Sequence, residues 1–63
     1  MELHDVVELA VDLPDEGLAA GSVGTVIHVF DKPDLAYEVE FTDENGKTLA
    51  MVPLTPQQLR RRS

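Results

Sequence analysis

The sequence has no cysteine and no tryptophan, and its only aromatic residues are one tyrosine and two phenylalanines. Without cysteine the chain cannot form a disulfide or a thiolate-ligated zinc site, two devices that often stabilise very small domains. A chain of 63 residues is also small enough that only about 60% of the unfolded surface can be buried. We therefore expect a single domain, residues 1–63, with a small core and no cofactor.

Long hydrophobic segments are also missing. No apolar run approaches the roughly 18 residues that span a bilayer, and the first five residues, MELHD, lack the basic stretch and apolar segment of a secretion signal. We therefore expect a soluble, cytoplasmic protein with no membrane partner.

Basic residues are scarce, because twelve Asp and Glu face only five Lys and Arg. Three of the five are Arg60, Arg61 and Arg62, so residues 1–59 carry twelve acidic and two basic side chains, a net charge of −10. Such a surface repels phosphate backbones, which makes nucleic acid an unlikely partner. It attracts a basic protein, although strong acidity also serves solubility.

What is present is a hydrophobic period of two, which is typical of β-strands. In the segment HDVVELAVDL this period places Val7, Leu9 and Val11 on one face, and we expect that face in the core. In GTVIHVF both faces are largely apolar, so the pattern leaves the orientation of His28 open.

The clearest alternation is in the segment LAYEVEFT. Tyr37, Val39 and Phe41 alternate with the charged residues Glu38 and Glu40. The pattern predicts a strand with one buried face and one solvated face.

The remaining segments predict a hairpin and a terminal turn. The residues DENG supply a four-residue connection between antiparallel strands. Pro53 marks an edge or a strand end, since it cannot donate to a ladder. Thr55 and Pro56 suit the start of one helical or 3-10 turn, after which Leu59 would anchor the chain and residues 60–63 would form a short strand or a frayed basic tail. We therefore predict an all-β fold, a small SH3-like barrel of about five short antiparallel strands with one 3-10 or helical turn near the C-terminus.

Several motifs resemble those of a known family. They are the Asp5-Val6-Val7 start, the Leu13-Pro14 turn, Gly17-Leu18, the Gly21-x-x-Gly24-Thr25-Val26 entry and Val39-Glu40-Phe41. Over residues 4–59 the chain resembles domain-of-unknown-function family 4926, a family of short bacterial proteins, and the resemblance implies a small SH3-like barrel without assigning any functional residue. The glycine entry also resembles the KOW-type motif of ribosomal and transcription proteins, but the residues around it are acidic or apolar instead of basic.

The two glycines of that entry also raise the question of a phosphate-binding loop. Such a loop needs a following helix and usually a lysine. Here Gly21 and Gly24 lead into a predicted strand and no lysine is near. We therefore interpret them as a turn or a barrel corner.

Catalytic and metal-binding groups are few. His4, Asp5, Glu8 and His28 are the best metal candidates, but nothing in their spacing fixes three ligands together. The only conceivable nucleophile and base are Ser22 and His28. We therefore expect no metal site and no enzymatic activity.

The first hypothesis is a non-enzymatic interaction module that binds another protein, for example an antitoxin-like or accessory partner of a basic protein. Glu38 and Glu40 are its candidate contacts, through an acidic face or an open sheet edge. The alternatives are nucleic-acid association through Arg60, Arg61 and Arg62, and, less favoured, a metal-dependent enzyme. Exposed strand edges also favour a homodimer.

Overall fold

Five strands account for about half of the chain in the computed structural model, which describes residues 1–62. They are β1 (Val6–Leu9), β2 (Val23–Phe30), β3 (Ala36–Thr42), β4 (Thr48–Leu54) and β5 (Leu59–Arg61). The strands form one antiparallel sheet in the order β4-β3-β2-β1-β5. Two 3-10 turns, Pro14–Glu16 and Pro56–Gln58, and an isolated bridge between Leu13 and Leu18 lie outside the strands. Among residues 1–62 there is no helical segment with the length and hydrophobicity of a membrane span.

This architecture confirms the predicted all-β fold of five antiparallel strands with a 3-10 turn near the C-terminus. Two details differ from the expectation. The sheet is not closed into a barrel, because β4 and β5 are its two ends and no pairing joins them within residues 1–62. The second difference is the 3-10 turn Pro14–Glu16, which lies in the long loop after β1.

One face of the sheet carries the core. Within residues 1–62 no polar or charged residue is buried, and the ten buried hydrophobic residues form a single cluster. Its members are Val7, Leu9, Leu18, Val26, Tyr37, Val39, Phe41, Val52, Leu54 and Leu59. Leu18 belongs to the loop between β1 and β2, which we call the first loop. This loop therefore folds back over the sheet and closes one side of the core.

The prediction for β1 is confirmed at Val7 and Leu9, which are fully buried, and is wrong at Val11, which is 39% exposed. The strand ends at Leu9, and the next residue, Ala10, donates its backbone N–H to the carbonyl of Gln58. Because strand alternation stops there, Val11 no longer shares the face of Val7 and Leu9.

A bulge explains why the sequence pattern of β2 did not predict which side of the strand faces the core. Val26 pairs with Val39, but the next pair is His28 with Glu38, so Ile27 is an extra residue in β2. An extra residue reverses the alternation of side chains. As a result Val26 is buried before the bulge, whereas His28 is exposed after it.

The two glycines of the Gly-x-x-Gly entry have separate roles. Gly21 adopts a φ of +91° in the turn before β2, a conformation that glycine tolerates best. Gly24 lies within β2, where an added Cβ would stand 2.7 Å from Cγ1 of Val39 and 2.8 Å from the carbonyl oxygen of Glu40. The first glycine serves a turn and the second a close approach between strands.

The hairpin between β3 and β4 forms as predicted. Asp43 Oδ1 accepts hydrogen bonds from the backbone N–H groups of Asn45 and Lys47, at 2.8 and 2.9 Å. Gly46 completes the turn with a φ of +83°. The connection fixes β4 as the antiparallel neighbour of β3.

The C-terminal turn also forms as predicted, with Thr55 at its N-cap. The Thr55 backbone N–H donates to Gln58 Oε1 at 3.0 Å, which completes a capping box. Leu59 is then 5% exposed in the core. The chain continues as strand through Arg61, so the basic segment is paired with β1, and Ser63, the end of the expected tail, lies outside the described residues.

The close approach at Gly24 gives a stability prediction. In Gly24→Ala the new methyl group must displace Val39 or the backbone of Glu40. Overpacking of this kind costs about 1–3 kcal/mol, which is a large part of the stability of a small domain. Urea unfolding should show a clearly lower midpoint.

Gly46→Asn is the matched control, because asparagine tolerates the positive φ of the hairpin. We expect its unfolding midpoint to stay close to that of the parent chain. If Gly24→Ala were as stable as Gly46→Asn, the close approach would not constrain the sheet.

Candidate functional site

Glu38 and Glu40 lie on the side of β3 opposite the core, as the alternation predicted. Both are half-buried, whereas Tyr37, Val39 and Phe41 on the other side are buried. Two residues of an antiparallel strand span about 6.8 Å. The two carboxylates therefore stand side by side along one strand.

The carboxylate of Glu40 is positioned by a neighbouring strand. Thr48 Oγ1 of β4 donates a hydrogen bond to Glu40 Oε2 at 2.6 Å. Glu40 lies between Thr25 of β2 and Met51 of β4 in the strand register, and Met51 is 56% exposed. One oxygen of Glu40 thus has a fixed hydrogen bond beside an exposed apolar side chain.

Glu38 lies two residues before Glu40 on β3, on the same side of the sheet. Its neighbours in the register are His28 of β2 and Pro53 of β4. The His28 ring packs edge-to-face against Phe30, with ring centroids 4.5 Å apart and an interplanar angle of 63°. His28, whose orientation the sequence pattern left open, has an exposed side chain on the same side of the sheet as Glu38.

We use the name outer face for the solvated side of β1 to β4. Besides Glu38 and Glu40 it carries exposed apolar residues from three strands. They are Val6, Val23, Phe30 and Met51. The outer face therefore combines Glu38 and Glu40, with Glu8 at its β1 side, and apolar side chains that have no covering layer among residues 1–62.

The arginine segment lies at the other end of the sheet. Arg60 pairs with Glu8 across β5 and β1, and Arg60 Nε donates to Glu8 Oε1 at 3.1 Å. Two strands, β1 and β2, separate β5 from β3, so the structure does not bring Arg60 to Glu38 and Glu40. The two sets of predicted contacts form separate sites.

Arg61 and Arg62 are exposed and line an open depression beside the N-terminus. Glu2 and Asp5 line the same depression. Asp5 is already engaged, because its Oδ2 accepts the backbone N–H of Glu2 at 2.8 Å. The positive charge of this end is thus set among carboxylates of the chain itself.

Charge pairing is sparse over the part of the chain that the structure describes. The Arg60–Glu8 contact is the single ion pair among residues 1–62. Neither Glu38 nor Glu40 has a cationic partner in that range. Glu8, on the β1 side of the outer face, is compensated by Arg60, whereas the negative charge of Glu38 and Glu40 is not compensated by an ion pair over the same residues.

The sequence was also compared with known protein families. The model of a domain of unknown function, DUF4926, matches residues 3–61. The chain belongs to the DUF4926 family. No curated protein and no solved structure gives a significant match to it.

In this DUF4926 chain the other candidate groups do not assemble. Over residues 1–62 no group of three or more histidines, cysteines or acidic residues is placed to hold a metal ion. Ser22 precedes β2 and His28 lies six positions further on, which corresponds to roughly 20 Å along an extended strand. A hydrogen bond between these two side chains is out of reach.

Sequence reasoning missed two parts of this DUF4926 site. The Thr48 hydrogen bond depends on a shifted register between β3 and β4, where Leu49 has no partner. The ion pair of Glu8 with Arg60 joins residues 52 positions apart. Opposite charges were visible in the sequence, but no local pattern indicates which of them meet.

The Arg60–Glu8 pair gives a second prediction. Arg60→Ala should lower stability by about 0.2–1 kcal/mol, since the Arg60 side chain is 56% exposed and its contact with Glu8 is accessible to solvent. The loss should shrink at high salt, where exposed charges are screened. Thermal unfolding at low and high salt measures both effects.

Arg61→Ala is the matched control, because it removes a neighbouring arginine that forms no ion pair within residues 1–62. Its salt dependence should follow that of the parent chain. Equal salt-dependent losses in the two variants would contradict a specific role for the Arg60 contact.

Proposed function

We propose that this DUF4926 chain is a non-enzymatic interaction module that binds a basic protein. The observation that carries the proposal is the uncompensated charge of Glu38 and Glu40 on an open sheet face. Charges of one sign on a protein surface speed encounter with oppositely charged partners and select among them. A narrower form is an antitoxin-like or accessory role, in which the chain covers and restrains a basic partner.

The composition supports the same proposal. The full chain has a net charge of −7, and cysteine is absent. A nucleophile needs a base within hydrogen-bond reach, and the Ser22 and His28 side chains are not placed for this. Binding is therefore better supported than hydrolysis or metal-dependent catalysis.

Capture from a native extract tests the proposal. We compare the immobilised parent chain with the double variant Glu38→Gln/Glu40→Gln at about 20 mM salt, where screening is weak. The parent chain should retain a basic protein that elutes as salt rises. The double variant should lose most of it, because glutamine keeps the shape of the side chain and removes the charge.

The matched control is Asp15→Asn/Glu16→Gln, which changes two exposed carboxylates of the first 3-10 turn. Both double variants reduce the net charge from −7 by the same two units. The control should retain the basic protein as the parent chain does. Equal retention by all three proteins, or none by any, would contradict a role for the outer face.

A second candidate function is nucleic-acid association through Arg61 and Arg62, which are exposed and form no ion pair within residues 1–62. It has weaker support, because Glu2 and Asp5 line the same depression and Glu8 holds Arg60. On this candidate a gel shift appears at low salt and is lost in Arg61→Ala/Arg62→Ala. We expect no shift with either protein under these conditions, since the acidic surface repels phosphate.

A further inference from the structure

Both sheet edges are poorly suited to pairing with a partner strand. On β4, Leu49 is an unpaired bulge residue and Pro53 has no N–H to donate. Only three residues lie between these two interruptions. The other edge, β5, is three residues long and carries Arg60 and Arg61. Bulges, proline, short length and charge are the features by which natural sheets avoid strand addition, so a partner is better accommodated on the outer face.

The outer face offers both charge and apolar contact. Met51 is 56% exposed beside Glu40, and Phe30 is 39% exposed on the same side of the sheet. An apolar sheet face is normally covered by another layer of structure. Residues 1–62 provide no such layer, because the core and the first loop lie on the opposite side.

A segment that lies flat on this face must satisfy its own backbone hydrogen bonds. An extended segment would bury N–H and C=O groups against side chains with no partner, which is costly. An α-helix has its backbone groups paired internally. The covering segment is therefore expected to be helical.

The carboxylate spacing fits such a helix. Glu38 and Glu40 are two strand residues apart, about 6.8 Å, and residues four apart on a helix rise about 6.0 Å on one face. We propose, on the basis of the function proposed above, that the outer face binds a basic amphipathic helix of a partner protein. The helix lies along β3 with two Lys or Arg side chains, four residues apart, on Glu38 and Glu40, and its apolar side chains on Met51 and Pro53.

A second copy of this chain is a poorer occupant. Each copy has a net charge of −7, and a symmetric contact through the outer face would oppose the same carboxylates. Like charges across an interface are unfavourable. Charge complementarity therefore selects a basic partner over self-association.

The probe is a synthetic amphipathic peptide of about 18 residues, long enough for helix formation, with lysines four apart on one face and leucines beside them. Calorimetry should show binding to the parent chain, and amide shifts should map to β3 and β4. A second peptide has the same charge and two central prolines that prevent the helix. We expect its affinity to be at least about fivefold lower.

Protein variants locate the contact. Glu38→Gln/Glu40→Gln should weaken binding of the helical peptide by about fivefold, a size consistent with losing two exposed charge pairs. Met51→Gln should weaken it by about two- to threefold through lost apolar contact. Asp15→Asn/Glu16→Gln and Leu35→Gln, a substitution at a 46% exposed loop residue, should leave the affinity unchanged.

The outcomes separate this inference from the function on which it rests. If the proline peptide binds as tightly as the helical one, and only Glu38→Gln/Glu40→Gln weakens both, the helix is wrong and the acidic face stands. If the two double variants behave alike, both proposals fail. Absence of peptide binding, or a dimer in sedimentation that Met51→Gln dissociates, would overturn the helical occupant.

Discussion

The close approach of β3 to β2 at Gly24 is the constraint on which the rest of the sheet depends. Gly24 pairs with Val7 on one side and Phe41 on the other, and an added Cβ would also stand 3.0 Å from Cδ1 of Phe41. Since β2 has no side chain there, the Phe41 ring can occupy the space on the core side. The same contact holds β3 firmly on β2, and β3 is the strand that presents Glu38 and Glu40 to solvent.

The fold was predictable to the extent that side chains alternate without interruption. In β3 the alternation holds from Tyr37 to Phe41, and both faces were predicted correctly. In β2 the extra residue Ile27 reverses the alternation. Because no single period runs through the strand, the sequence pattern could not predict which of its side chains are buried. Val11 shows the other limit, because the hydrophobic period continues in the sequence after the strand has ended at Leu9. Strand ends depend on hydrogen bonds to distant residues, which no local pattern contains.

The same distinction applies to the candidate site. The position of Glu38 and Glu40 on a solvated face follows from one strand alone and was predicted. The Thr48 hydrogen bond and the exposed Met51 beside Glu40 depend on how β4 pairs with β3, including the unpaired Leu49. The arginine segment had two open interpretations, a strand or a frayed tail, and pairing with β1 distinguishes them only when the whole sheet is present. These parts of the site are determined by the pairing of strands, which the sequence pattern of a single strand does not contain.

The placement of the acidic residues also bears on whether they serve solubility or recognition. Carboxylates in loops, such as Asp15 and Glu16, maintain solubility wherever they lie. Glu38 and Glu40 stand instead among exposed apolar side chains, including Met51 and Phe30. Without the two charges, such an apolar surface would favour association. Two copies of the chain that met through this face would bring like charges together, whereas a basic partner would bring opposite charges to the same positions. One pair of carboxylates can therefore oppose the wrong contact and favour the right one, because specificity is a difference between two affinities.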